Sequence, residues 1–502
     1  MQVTVVFILS FLVRLIHLNQ SLWLDEAITA RVVQRFSSLQ IITQFAPGDF
    51  HPPFYYLFIK CWTTLFGYSE IALRIPSVLA ALVAGGMVYK TAELIYKQKK
   101  VGLDISFFHT FPLLLFGRSP SDSTRRPLKK NIFTQSQASL FAAVLFLCNP
   151  LVVYYSQEAR MYMFATMFLS VVMYCAVKLT VKKPTFDLMF AFNFFSFLAI
   201  ITYYGSLFFI IAALIFLLLH KKQTSSLLLS IGTILGLTLL SPLLVRQLAN
   251  SHLALQTVQN WRSVLGTIDV KNIVLFPLKF ATGRVSFEPK WLYFVFGGAW
   301  SMVVFGFVVL GAWREKKFAL FFIVPLVLGF VASFVTPMLQ YFRFQYVILP
   351  ISILLALGVE ELGNVLEMEG SGLKYLSNRS KKITRFVMLF IITIFAAWSA
   401  LYLFFPQFHR EDWNTLSFQL QQKHLSVYIL PSKTDPIIYY NPSFPVKNLE
   451  QIDQADEAEL IIIPYATDIH GFSYRSIISS RYQQIAAYSV RGIVYEEWAI
   501  KK

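Results

Sequence analysis

Apolar runs long enough to cross a bilayer recur from one end of this chain to the other, and no other feature narrows its fold so sharply. A helix rises about 1.5 Å per residue, so about 20 apolar residues cover the hydrocarbon core. Eleven segments meet or approach that length, at 3–19, 70–96, 135–153, 161–180, 186–202, 205–220, 224–244, 291–312, 318–336, 341–362 and 385–405. The first is read as a span and not as a secretory signal, because no small-residue cleavage site follows it and Arg14 and His17 interrupt it. The predicted fold is mainly α, a polytopic membrane protein of about eleven spans. With 56% hydrophobic and 14% charged residues the chain falls far from a soluble globule, and 16% aromatic residues exclude a disordered polymer.

The net charge of +17 would suit nucleic acid or an anionic membrane surface. Position decides, because the basic residues gather in short segments between apolar runs. With the N-terminus placed in the cytoplasm, the loops at 97–134, 178–184, 221–223, 313–317 and 363–385 carry 21 Lys and Arg, while the opposite turns at 154–160, 203–204 and 337–340 carry one, Arg160. The positive-inside rule favours that orientation in a cell membrane, with membrane lipids as partners and no nucleic acid. A membrane domain then covers 1–405, with outer loops at 20–69 and 245–290 and a cytoplasmic loop at 97–134. The apolar stretch Ile105–Phe116 of that loop, beside Arg118, Arg125, Arg126, Lys129 and Lys130, reads as interfacial. Residues 406–502 change character: Ser426–Leu430, Ile437–Tyr440, Leu460–Pro464 and Gly492–Tyr495 are strand-like runs between turn formers, which predicts a small extracytoplasmic α/β domain. Cys61, Cys148 and Cys175 show no paired spacing and read as small core residues.

Polar chemistry concentrates just outside the spans. Asp25 and Glu26 follow Trp23 at membrane level, an expensive placement unless water, a cation or a substrate meets them. The bland account makes Asp25 the cap of a helix from Ala27 to Phe36, with Glu26 in its first turn. Asp49 and His51 precede Pro52-Pro53, which stiffen the turn, and a histidine there suits a phosphate, a metal or a satisfied turn. The run 54–66 is too short to span and is expected along the outer surface. Glu158 and Arg160, with Tyr162, lie between two apolar helices and are too close in sequence to face each other, so each needs a partner elsewhere. Arg343 stands at the mouth of another span, where a guanidinium grips phosphate or snorkels to headgroups.

Taken in order, Trp23-Leu24-Asp25-Glu26-Ala27, His51-Pro52-Pro53, Leu65–Glu70, Leu73-Arg74-Ile75-Pro76-Ser77 and Ser156–Tyr162 resemble the GT-C superfamily of integral membrane glycosyltransferases. The nearest branches are the protein O-mannosyltransferases and the lipid A aminoarabinose transferases. The resemblance is good over 1–210 and resumes at Tyr341–Pro350 and Arg410-Glu411-Asp412-Trp413. It implies a sugar donor on a polyprenyl phosphate and a glycan, lipid or protein acceptor on the outer face. It makes Asp25 and Glu26 the catalytic carboxylates and Arg160, Arg343, His51 and Arg74 the candidates for the donor phosphate. Asp49, Glu158 and Tyr162 are candidates for the acceptor or a metal, and a divalent cation is a candidate cofactor. The chain departs from the aminoarabinose transferases, which usually place lysine before the double proline where it has His51, and from the many relatives with Thr-His-Tyr where Thr202-Tyr203-Tyr204 stands. Displacing a lipid phosphate needs a base for the acceptor hydroxyl and cations facing the leaving oxygens, with inversion at the sugar carbon. A polytopic transporter or lipid-sugar flippase fits less well, since its charges would sit near the midplane. An oligosaccharide ligase of similar architecture remains an alternative.

Overall fold

The computed structural model describes residues 2–98, 134–220, 226–258, 260–369 and 374–502. The interfacial segment expected at 105–116, with its basic flank, lies outside the described residues. Among the described residues six helices are long and apolar enough to cross a membrane: Glu70–Lys97, Tyr162–Val181, Leu228–Thr257, Lys290–Arg314, Tyr341–Leu366 and Arg379–Phe404. A seventh apolar stretch is a bent pair, Gln135–Cys148 and Pro150–Ser156, meeting at 59°. The protein is therefore a multi-pass membrane protein. The other four expected spans are shorter helices, Gln2–Leu15, Phe186–Thr202, Ser206–Leu219 and Leu320–Ala332. At 1.5 Å per residue each covers about 20–26 Å, short of the ~30 Å hydrocarbon core, so the eleven expected segments do not amount to eleven full spans. Residues 186–219 form two helices, broken where Tyr203 is extended at φ −156° and ψ 119°.

Burial separates centre from rim. The window of Tyr341–Leu366 is 89% buried, against 28% for Leu228–Thr257. Helices Lys290–Arg314 and Ile348–Glu369 approach backbone to backbone, since a Cβ at Gly311 or Gly358 would overlap the carbonyls of Leu354 and Phe307. Exposed Leu235, Leu239, Met302 and Phe386 form the apolar rim. Helix Phe54–Phe66 buries Tyr55, Tyr56, Ile59 and Thr63. Cys61 falls on the opposite face and is exposed, contrary to its reading as a core residue; Cys175 is buried and Cys148 is partly buried.

After the helix ending at Phe404, a connector leads to helix Trp413–Lys423 and a five-stranded mixed sheet. The strands are β1 Ser426–Ile429, β2 Val446–Asn448, β3 Glu459–Ile462, β4 Tyr482–Val490 and β5 Ile493–Ile500, ordered β2-β1-β3-β5-β4. Strand β1 runs parallel to β2 and β3, while β5 runs antiparallel to β3 and β4. Alternation along β1 sends Val427 and Ile429 under Trp413 and Leu416, and Tyr428 to the other face beside Leu460, Ile462 and Trp498. The strand expected at Ile437–Tyr440 is instead a helix, Asp435–Tyr440, opened by Pro436, whose fixed φ suits a first turn.

That helix docks the tail onto the membrane body. Tyr440 Oη accepts from the Leu22 N–H (2.8 Å) and donates to Glu70 (3.1 Å), and Tyr439 Oη donates to the Tyr68 carbonyl (2.6 Å). Arg31 faces Asp435 at 4.0 Å. The Asp468–Gly471 turn accepts from Asn260 through the carbonyls of Ile469 (3.0 Å) and Asp468 (2.8 Å).

Candidate functional site

Helix Leu24–Arg35 begins at Trp23, not at Asp25. Trp23 is the N-cap and Glu26 reaches back to its N–H, so Asp25 is a first-turn residue with its carboxylate free to point elsewhere. It points at Arg160: Nη2 lies 3.5 Å from Asp25 Oδ2, and Nη1 donates to the Asp25 carbonyl at 3.3 Å. The Asp25 side chain is 36% exposed and that of Arg160 only 6%.

Arg160 is placed by the break in the seventh apolar stretch. Pro150 drives Asn149 out of helical conformation (φ −60°, ψ 126°). Asn149 then caps the next turn through the N–H groups of Leu151 and Val152 and donates to the Phe280 carbonyl. The turn 157–160 is pinned from three directions. Gln157 donates to the carbonyls of Arg14 (2.9 Å) and Ile16 (2.7 Å), Ser77 donates to the Glu158 carbonyl (2.7 Å), and the Ala159 N–H donates to Glu26 (2.7 Å).

Glu26 and Arg74 depart from the roles their motifs implied. Glu26 is 1% exposed and accepts from Arg74 Nε (2.8 Å) and Nη2 (2.6 Å) as well as from Ala159. Arg74 spends its other donors on the carbonyls of Leu18, Gln20 and Ser21. Every N–H of that guanidinium is engaged, so none remains for a phosphate, and no Glu26 oxygen is free to act as a base. The pair is a buried brace that joins the loop before Asp25 to the turn carrying Arg160.

Asp49 receives a hydrogen bond from Tyr56 Oη at 2.9 Å and lies 3.5 Å from His51 Nδ1. Burial opposes its ionisation, yet His51 and Arg160 hold the carboxyl below the usual range. The loop is tied down by Gln247, which donates to the carbonyls of Ala46 (2.7 Å) and His51 (3.0 Å). Arg343 stands apart from this group: it donates to the Pro337 carbonyl at 3.2 Å and lies beside Phe342, whose ring meets Tyr162 at 5.4 Å. Among the described residues no group of three His, Cys, Asp or Glu is arranged to hold a metal ion.

Glu158 meets Arg410, 3.6 Å away, so each member of the 158/160 pair has a separate partner. Burial pushes the Glu158 carboxyl up to about 7, with Arg410 pulling it back. The Arg410 guanidinium covers the Trp23 ring at 3.7 Å, and Arg284 lies over Tyr154 at 5.1 Å. Neither cation was assigned a role from sequence. Arg284 follows helix Val270–Thr282 and Gly283, and Arg410 follows the helix ending at Phe404 and Pro406; a basic residue just past a helix-ending Gly or Pro is the signal that marks them. Around Glu158 and Arg410 several buried polar atoms lack a hydrogen-bond partner, including both Glu158 oxygens, Arg410 Nε and Trp23 Nε1. Each such group costs about 1–3 kcal/mol when left dry.

A family model described as dolichyl-phosphate-mannose-protein mannosyltransferase matches residues 50–118. No curated protein sequence matches the chain. Among solved structures, ArnT from Cupriavidus metallidurans bound to undecaprenyl phosphate matches with a TM-score of 0.52 and 11% identity, covering 99% of this chain and 97% of that one. The oligosaccharyltransferase AglB from Archaeoglobus fulgidus, in complex with an inhibitory peptide and a dolichol-phosphate, matches with a TM-score of 0.53 and 11% identity, covering 99% and 74%. At such identities the likeness is one of fold.

Proposed function

Starting from a chain that has the fold of the GT-C membrane glycosyltransferases, we propose that it transfers a sugar from a polyprenyl-phosphate-linked donor to a hydroxyl-bearing acceptor on the outer face of the membrane, with inversion. The observation that carries this reading is the contact of Asp25 with Arg160. An acid with exposed edge sits 3.5 Å from a buried guanidinium, at the end of the bundle where the tail docks. Support also comes from the polyprenyl phosphates named with the two solved structures and from the partial family match.

The chemistry follows from those two groups. The acceptor oxygen attacks the anomeric carbon as the carbon–oxygen bond to the phosphate breaks, and the bonding pair leaves on the phosphate oxygen. Asp25 takes the hydroxyl proton, a role contributing about 10²–10⁴-fold. Arg160 faces the charge that grows on the leaving group, where a preorganised cation in a dry site is strongest. Arg343 and His51 are assigned to the rest of the lipid phosphate, with Asp49 fixing the His51 ring, and Tyr162 to the acceptor side. Arg74 and Glu26 hold the frame.

The test is donor turnover. Membranes containing the chain, given polyprenyl-phosphate-linked sugars with surface-glycan acceptor fractions, release free polyprenyl phosphate and gain sugar on the acceptor, read by mass spectrometry. Movement of intact lipid-linked sugar across vesicles without cleavage would make the protein a flippase instead.

A further inference from the structure

Next to the buried Glu26–Arg74 brace lies a small polar pocket whose walls also include Gln20, Trp23, Tyr154, Gln157, Glu158 and Arg410. It has room for about one water. Seven buried atoms on these walls have no hydrogen-bond partner: Gln20 Oε1, Trp23 Nε1, Tyr154 Oη, Gln157 Oε1, both Glu158 oxygens and Arg410 Nε. One water makes two to four hydrogen bonds, so it leaves at least three of the seven bare. Unpartnered buried groups are costly, and so many in one place mark an interior built for something else.

We propose that this pocket receives the ring of the donor sugar, and that Arg410 fills it while the site is empty. The inference rests on the function proposed above. The orphaned atoms mix donors (Trp23 Nε1, Arg410 Nε and the Tyr154 hydroxyl) with acceptors (the two amide oxygens and the Glu158 carboxylate). A lone cation meets only the acceptors, and a lone anion faces Glu158. Neighbouring hydroxyls, which donate and accept at once, meet both kinds.

Shape argues the same way. The Trp23 face is covered by the Arg410 guanidinium at 3.7 Å, and an aromatic face is what the C–H side of a sugar ring packs on. Arg410 is held by its backbone, whose carbonyl accepts from Arg491 Nε at 2.8 Å, and its neighbour Glu411 accepts from Tyr465 at 3.0 Å. Glu158, which lines the pocket, and Arg160, which meets Asp25, stand on the same turn, so the pocket and the Asp25–Arg160 pair are joined by one short stretch of backbone.

The experiment measures binding of bare undecaprenyl phosphate and of undecaprenyl phosphate carrying mannose, glucose, galactose or a pentose, to the purified full chain in micelles. Wild type should bind at least one sugar-bearing lipid tenfold or more tightly than the bare lipid. Glu158→Gln and Trp23→Leu should each lose that gain while binding the bare lipid within twofold of wild type. The wild-type comparison stands even if a variant fails to fold. If wild type binds the bare lipid and gains less than twofold from every sugar, the pocket assignment is overturned and the proposed function survives. If both variants keep the gain, the pocket assignment is likewise overturned. Binding of neither lipid by wild type overturns both.

Discussion

Neutralising Glu26 by Glu26→Gln separates a structural acid from a chemical one within a single dipeptide. The Glu26 carboxylate is 1% exposed and takes two charge-assisted bonds from Arg74, at 2.8 and 2.6 Å. Removing one charge of a buried pair costs about 3–5 kcal/mol, because the other is left uncompensated. Arg74 keeps the carbonyls of Leu18, Gln20 and Ser21 as acceptors, which places the expected loss near the lower figure, about 3 kcal/mol. The assay is unfolding titrated with SDS in mixed micelles, for Glu26→Gln, Arg74→Gln and the double variant. The two single losses should sum to about 2 kcal/mol more than the double, the coupling expected of partners in contact. Transfer measured on the folded fraction should survive in Glu26→Gln at a reduced rate. A variant with wild-type stability and abolished transfer would refute this reasoning and return Glu26 to the chemistry.

Arg160→Ala should lower the single-turnover transfer rate by about 10²–10³, and Arg160→Lys by less, since it keeps charge but not the guanidinium fork. Glu158 is held near 7 in the fold against about 4.5 when unfolded, so its ionisation is disfavoured by folding. Relative to Glu158→Gln, wild type should match in stability below pH 4.5, weaken as pH rises, and fall behind by about 3 kcal/mol above pH 7. Equal offsets at pH 5 and 8 would contradict that sign. Tyr440→Phe should leave the Leu22 N–H without its acceptor, at a cost of about 1–2 kcal/mol, and speed amide exchange over 20–26. Unchanged exchange there would mean that the tail does not brace the Asp25 helix.

Much of the architecture was legible because long apolar runs and basic loops are local signals. Segments such as Tyr162–Val181 appear in the structure close to where hydropathy placed them, whereas Ile437–Tyr440 shows how little four apolar residues say when Pro436 precedes them. The separate partners of Glu158 and Arg160 were implied by their spacing. Which partners they find was not, since Arg410 lies 252 residues from Glu158 and comes near only when the tail docks. The closing of Arg74 on Glu26 was equally hidden: the motif gave the residue types, but its saturation depends on three carbonyls of a loop more than 50 residues away. The alternative of Asp25 as a helix cap falls away because the cap position belongs to Trp23, an uncommon residue for that role.

The central claim is that Asp25 takes the acceptor proton beside Arg160. It is tested most directly by the single-turnover transfer rate of Asp25→Asn with preformed donor, alongside lipid-phosphate binding by the same preparation. The account predicts transfer slowed by at least 10²-fold with donor binding intact. Near wild-type transfer by a folded, donor-binding Asp25→Asn would contradict it.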